Sequence, residues 1–390
     1  MVTLVLMAGV SAMSMNMFLP ALPAMSEYFS TDYKVMQLSV AIFLAVNAAL
    51  QLIIGPLSDR FGRRPVVLAG TIIFILASFG TVHAPTVTTF LVLRAVQAAI
   101  VTGMVLSRAI VRDIHPGDDA ATMIAYVTMG MSVVPMIAPS VGGVLTSHFG
   151  WQANFWVLTA SGVGLLALVY FDLGETAPPQ ADRSLRAMFR AFPELLSSPR
   201  FLGYALSAAF ASGAFFAYIG GAPFVGTTLF GLSEDVLGLH MAAPAVGYFF
   251  GNFAAGRYSA RFGVNVMVLI GACILIVTVA INTATFLMGI ATAKSFFGLM
   301  VFLGFGNGLQ LPNSIAGSLS VRPQLAGTAS GLGGVMMIGG GAALSAIAGS
   351  MLSVERGALP LMEIMLFSSI GSLIAILLVM RRERRVTTGL

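Results

Sequence analysis

Gly55-Pro-Leu-Ser-Asp-Arg-Phe-Gly-Arg-Arg-Pro65 is flanked by two apolar runs, Val35–Leu57 and Pro65–Val82. Each run is long enough to cross a bilayer as a helix. The stretch between them holds three arginines, Arg60, Arg63 and Arg64, and one aspartate, Asp59. So short a connection asks for backbone freedom. Gly55 and Gly62 are placed to give tight turns, and Pro65 suits the first turn of the following helix. The arginines should keep the connection on the cytoplasmic side, because carrying them across a bilayer is costly.

The rest of the chain agrees with a membrane reading. It has 390 residues, 57% of them hydrophobic and 9% charged, and a mean hydropathy of +0.93. Soluble domains carry roughly 25% charged residues, so a soluble globular protein is excluded. Forty-three glycines suit packed membrane helices, whose backbones approach closely at small residues. The net charge of +5 comes from arginines in short connections and a tail rather than from one basic face. That pattern sets membrane topology and does not point to nucleic acid. Cys273 is alone in an apolar run, which leaves no internal disulfide and little room for thiol chemistry. The sequence has no phosphate-binding P-loop, metal-ligand cluster or nucleophile constellation. Neither an enzyme nor an ATP-driven pump is expected, and no cofactor.

Twelve spans follow from apolar runs of about 20 residues. They lie near 3–25, 36–57, 65–83, 87–109, 121–146, 153–172, 201–224, 238–257, 264–284, 294–317, 327–351 and 358–380. The first lacks a basic leader and a small-residue cleavage site, so it reads as a span rather than a signal peptide, with a short cytoplasmic tail expected ahead of it. Nearly all arginines fall on one side of this topology, which puts both termini in the cytoplasm. The Pro-, Arg- and Ser-rich stretch 174–200 is the linker between a first bundle, 1–173, and a second, 201–381, with 382–390 as a tail. Leu185, Met188, Phe189 and Phe192 suggest a short amphipathic helix in that linker, against the alternative of a disordered connection. Shifted by about 201 residues, Gly55, Ser58, Arg60, Phe61 and Gly62 match Gly256, Ser259, Arg261, Phe262 and Gly263, while Asp59 becomes Ala260. The second half is a degenerate copy of the first. Parallel repeats of this kind place a substrate site between them near the membrane midplane.

Within the spans, polar residues are the candidates for function. Arg94 and Gln97 are three apart on one face of the fourth span. Snorkelling to the inner interface is too far for Arg94, so a partner or a watery cavity is expected. Gly130, Pro135, Pro139, Gly142 and Gly143 make the fifth span a bent, closely packed helix. Asn252 in the eighth span and Asn307 and Gln310 in the tenth either line a cavity or bond helices together. Tyr218 in the seventh lines an aromatic pocket or packs in the core. Glu363 is the one carboxylate well inside a span, and Asp113 follows the fourth.

The spacing G-x-x-x-D-R-x-G-R-R at Gly55–Arg64 resembles the motif between the second and third helices of the major facilitator superfamily. R-x-x-Q at Arg94–Gln97 and G-x-x-x-x-P…G-G from Gly130 to Gly143 resemble motifs of its drug/proton antiporters. Asn16-Met-Phe-Leu-Pro20-Ala-Leu-Pro23 narrows the likeness to the Bcr/CflA drug-resistance branch, whose first helix reads D-x-Y-L-P-A-x-P. The resemblance implies a bacterial inner-membrane, monomeric exporter of small hydrophobic compounds, phenicol- or bicyclomycin-like, with two six-helix bundles and rocker-switch alternating access. It implies a gating role for the loop from Gly55 to Arg64, a leak-proof hinge in the fifth span, and proton coupling linked to Arg94. Asn16 stands where the branch has an aspartate, and an amide cannot titrate. Coupling would then fall to Glu363, Asp113 or a network around Arg94. The alternatives are an uncoupled facilitator or exporter of a metabolite or siderophore, and a sensor that binds without transporting.

Overall fold

The computed structural model describes residues 2–114, 127, 134, 137–176, 192–322 and 325–388. Among these the chain is built from helices, with no strand. Nine stretches among the described residues are long and apolar enough to span a membrane. Of the others expected, 121–146 lies largely outside the described residues. Its described end is helical over 137–149. The tenth span forms as a helix and the eighth as two, but glycines and amides such as Asn252, Asn307 and Gln310 dilute their hydropathy.

In chain order the first half holds α1 Val2–Asn16, α2 Leu22–Tyr28, α3 Tyr33–Phe61, α4 Arg63–Val82, α5 Val87–Gln97 and α6 Val101–Ile114. The helix over 137–149 is α7, and α8 is Gln152–Asp172. A short α9 over 192–196 leads into α10 Pro199–Phe224, α11 Glu234–Met241, α12 Ala243–Phe262, α13 Val264–Leu287, α14 Ala293–Ser320, α15 Ala326–Met351 and α16 Leu359–Thr388.

Several spans are broken, each for a local reason. The first breaks after Asn16 because Pro20 has no N–H to continue the ladder, and a 3₁₀ turn over Leu19–Ala21 bridges to α2. The fourth breaks just after Gln97 into a 3₁₀ turn over Ala98–Ile100. The eighth is not one helix from 238 to 257, as the apolar run suggests. It is α11 and α12, parted at Ala242, with Pro244 in the first turn of α12.

The arginine-bearing stretch also differs from its expected form. Helix α3 runs through Gly55 and Pro56 to Phe61, so Gly62 alone makes the turn into α4. The Ser58 hydroxyl donates to the Gly55 carbonyl at 2.7 Å, and a Cβ on Gly55 would meet nothing within 4 Å. Gly55 therefore supplies no turn. Gly62 has φ 94° and ψ 156°, a conformation open to glycine almost alone. Gly263, at the matching place between α12 and α13, has φ 84° and ψ 153°.

Contacts divide the chain into two units, Met1–Ala187 with Ser233–Ala242, and Met188–Leu232 with Ala243–Leu390. The boundary falls inside the expected linker, and α11 packs with the first unit. In the linker, Leu185, Met188 and Phe189 lie outside the described residues. Phe192 starts α9 and packs on the core of the second unit around Leu195, Phe201 and Tyr204. Glycine allows the closest helix contacts there. A Cβ on Gly247 would lie 1.7 Å from the Val301 carbonyl, and one on Gly304 1.7 Å from that of Pro244, so α12 and α14 meet backbone to backbone.

Candidate functional site

Arg63 organises the turn between α3 and α4. Its guanidinium lies 2.7 Å from Asp59 and donates to Asp113 at 2.9 Å, and it also reaches the Ser58 hydroxyl. Arg63 is 9% exposed, so this is a largely desolvated charge cluster whose members depend on one another. Asp113, offered above as a proton site, is thus held beside Arg63 and also accepts from the Thr176 hydroxyl at 3.3 Å. Glu175 accepts from the backbone N–H of Arg63 at 2.8 Å and of Arg64 at 3.2 Å. A carboxylate here satisfies orphan donors at the start of α4 and opposes the helix dipole, worth about 1 kcal/mol. Arg64 stacks over the Tyr170 ring and donates to its carbonyl at 2.8 Å, while Arg60 turns over Phe61. Glu175 is absent from the sequence reading, because nothing in a stretch 111 residues away from Arg64 announces it.

Arg94 is completely buried. Its guanidinium lies over the rings of Phe18 at 4.2 Å and Phe43 at 4.5 Å. It donates to Gln97 Oε1 at 2.5 Å and to the Ser14 carbonyl at 3.4 Å, and Gln97 passes the chain to the Ser78 hydroxyl at 2.8 Å. Its Nε and the Ser14 hydroxyl have no hydrogen-bond partner. Among the described residues no carboxylate is buried. Placing an arginine at membrane depth costs at least about 2.5–3.5 kcal/mol. Two cation–π contacts at about 1–2 kcal/mol each and a charged hydrogen bond are of the size needed to offset that. The i, i+3 spacing made the Arg94–Gln97 pair readable in sequence. Phe18 comes from the turn after α1, Phe43 from α3 and Ser78 from α4, and nothing in the sequence tied them to Arg94.

Asn16 ends α1 and donates to the Ala12 carbonyl at 2.7 Å, a bond within its own helix. Close by, α7 meets the chain without intervening side chains. A Cβ on Gly142 would lie 1.7 Å from the Met17 carbonyl, and one on Gly143 2.2 Å from that of Glu234 in α11. A Cβ on Gly238 would lie 2.3 Å from the Pro139 carbonyl, and the Ser140 hydroxyl donates to the Gly238 carbonyl at 3.2 Å. Pro139, Gly142 and Gly143 thus mark a seam that larger residues would force apart. Gly130 and Pro135 lie outside the described residues. Gly238, the partner glycine, was not singled out from the sequence.

The second unit has a neutral polar node instead. Gln310 Nε2 donates to the Ser207 hydroxyl at 2.9 Å and to the Ser372 hydroxyl, and Ser372 donates to the Ser207 carbonyl at 2.9 Å. Asn307, one helical turn away and 2% exposed, has neither amide atom bonded. Asn252 is half-buried and donates to the Tyr248 carbonyl of its own helix at 2.8 Å. Tyr218 is buried against Phe296 and Phe297, so the structure places it among aromatics. Glu363 is exposed and shares one helical stripe of α16 with Phe367, Ile370 and Ile374.

Comparison with known proteins agrees with this architecture. The sequence matches the profile of the Major Facilitator Superfamily over residues 4–346. It is 30% identical over 377 residues to an uncharacterized MFS-type transporter, YdgK, of Bacillus subtilis, covering 94% of this chain and 92% of that one. It is 28% identical to a bicyclomycin resistance protein homolog of Haemophilus influenzae, covering 90% and 88%. A chloramphenicol resistance protein of Pseudomonas aeruginosa is 29% identical, with 84% and 79% covered. Among solved structures, a D-xylose-proton symporter superposes with a TM-score of 0.75 at 15% identity, covering 97% of this chain and 96% of that one. The chain is a helical membrane transporter, not an enzyme, and belongs to the major facilitator superfamily.

Proposed function

We propose that this protein exports small, largely hydrophobic compounds of the phenicol or bicyclomycin kind by rocker-switch alternating access. The observation that carries the direction is the seam at Pro139, Gly142 and Gly143, where backbone meets backbone in the motif that resembles the exporters' hinge. The resistance names borne by relatives over most of the chain support the substrate class. Residence as a monomer in a bacterial inner membrane follows from the family resemblance, and the distribution of arginines puts both termini in the cytoplasm. A panel of drug susceptibilities in an efflux-deficient host tests it. Raised resistance to phenicols or bicyclomycin is expected, and unchanged susceptibility across the panel, with the protein present in the membrane, sinks the reading.

We take protons as the coupling ion, with substrate and a proton carried by cavity water competing for the network around Arg94, whose own charge is fixed. Asn16 cannot titrate, Asp113 sits beside Arg63, and Glu363 lies on an exposed apolar stripe. A second reading, an uncoupled facilitator, is favoured by the lack of a buried carboxylate among the described residues. Proteoliposomes with an imposed pH gradient separate the two. Uphill transport lost in Glu363→Gln would put coupling at that carboxylate after all. Native transport indifferent to the gradient, yet driven by it in Asn16→Asp, would establish the facilitator.

A further inference from the structure

The fixed charge at Arg94 bears on what the carrier moves. The guanidinium is wholly enclosed, and its nearest named neighbours are Phe18, Phe43, Gln97 and the Ser14 carbonyl, all uncharged. Gln97 in turn is tied to Ser78, also uncharged. Among the described residues no acid is buried to neutralise it. Two donors at this place are unused, the Nε of Arg94 and the hydroxyl of Ser14. Arginine stays protonated even when buried. Among the described residues of the first unit, Arg94 is therefore a buried positive charge with no buried counter-charge, in a medium where Coulomb attraction is little screened. Among the described residues the second unit has no buried charged side chain. Its polar node of Gln310, Ser207 and Ser372 is neutral.

We propose that Arg94 is an anion-recognition centre, that the preferred substrates are compact aryl monoanions, and that their export is driven by the membrane potential. This rests on the exporter reading above and holds whichever ion is coupled. A lipophilic cation would meet like charge and be refused. An aryl anion matches both the guanidinium and the two phenyl rings beside it. Each such anion carried outward moves one negative charge toward the positive face, a direction the inside-negative potential favours. The charge balance needs no titrating carboxylate, which fits an amide at Asn16.

The test uses the full-length protein and 2-naphthalenesulfonate, which stays anionic at any working pH, with its neutral analogue 2-(methylsulfonyl)naphthalene as control. In proteoliposomes at equal pH on both faces, a potassium diffusion potential should accumulate the sulfonate at the positive face, at least tenfold for roughly each 60 mV. In detergent, binding is read from the fluorescence of Trp151, which packs on Phe155, itself against Phe18. Arg94→Gln should weaken sulfonate binding at least tenfold, and Arg94→Lys, which keeps the charge but loses the plane stacked on the two rings, should bind the sulfonate more tightly than Arg94→Gln and more weakly than native. Sulfonate distribution indifferent to potential, while the neutral sulfone is transported, overturns the inference and leaves the exporter reading standing. Neither probe transported, in a host that also gains no resistance, overturns both. The potential measurement on the native protein stands even where Arg94→Gln does not fold.

Discussion

Gly62 and Gly263 hold nearly the same backbone conformation, φ 94° and ψ 156° against φ 84° and ψ 153°, at matching turns in the two halves. What surrounds them differs. At the first turn, Arg63 bridges Asp59 and Asp113, and Glu175 caps α4. At the second, Ala260, Val264 and Asn265 replace Asp59, Arg63 and Arg64 in the sequence. There Glu383 near the end of α16 is the hub, accepting from Arg200 at 2.6 Å, from Tyr204 at 3.3 Å and from Asn265. Each half thus brings a carboxylate from near the end of its last helix to the base of its third helix. Sterics kept the turn in both copies, since few residues other than glycine fit it. Charge was free to diverge, and among the described residues a cation clasped by two aspartates appears in the first turn and not in the second.

Breaking that asymmetry at its centre should have the largest effect. Arg63→Ala takes away the guanidinium that lies between Asp59 and Asp113. About 3 kcal/mol of stability should go, and efflux should fall at least tenfold. Thermal unfolding in detergent and efflux at matched protein level read the two. Asp59→Asn should leave insertion intact and still slow transport severely. Near-normal efflux from Asp59→Asn would mean that the cluster fixes topology and does not gate.

The turns themselves can be compared directly. Alanine at either glycine is strained by its positive φ, at about 1–3 kcal/mol. In Gly62→Ala the new Cβ would also lie 2.4 Å from Glu175 Oε2, whereas at Gly263 it meets nothing within 4 Å. Gly62→Ala should therefore destabilise more than Gly263→Ala, by roughly the 1 kcal/mol of the lost cap. Equal melting shifts for the two variants would remove Glu175 from the account.

Inside the bundles the contrast is between a charge and a neutral amide. Gln97→Leu takes the shortest hydrogen bond from a buried guanidinium, at a cost of about 2 kcal/mol, while Gln310→Leu leaves Ser207 and Ser372 bonded to each other and should cost about 1 kcal/mol. Transport should suffer more in Gln97→Leu. The reverse order in a side-by-side efflux assay would shift attention to the second unit's node. The smallest effect is expected of Glu383→Gln. Arg200 and Glu383 are 41% and 26% exposed at their side chains, so the pair should contribute less than about 1 kcal/mol and weaken with salt. A melting shift that survives high salt would instead show that the Asn265 and Tyr204 bonds carry the joint.

How far the sequence could be read depended on the range of each signal. Apolar runs fixed the spans, because bilayer thickness imposes a length on each helix separately. Gly62 was legible as a turn, being demanded by the backbone at that very residue. Gly55 was misread. A glycine beside Pro56 looks like a turn, yet α3 continues through both. The Arg94–Gln97 pair was legible because partners three apart share a helix face.

The glycine turn into α4 was determined by the sequence alone, through local backbone chemistry, whereas the first span, expected unbroken over 3–25, ends its first helix at Asn16. Only the tertiary structure decided that Asp113 faces Arg63 from 50 residues away, that Glu175 caps α4, and that Phe18 and Phe43 enclose Arg94. It also decided that α11 packs with the first unit and that Glu363 sits on an exposed stripe of α16. Helix periodicity tells which residues share a face of one helix. Which neighbour that face meets, and at what height, depends on how helices distant in the chain are stacked, and no local pattern encodes that.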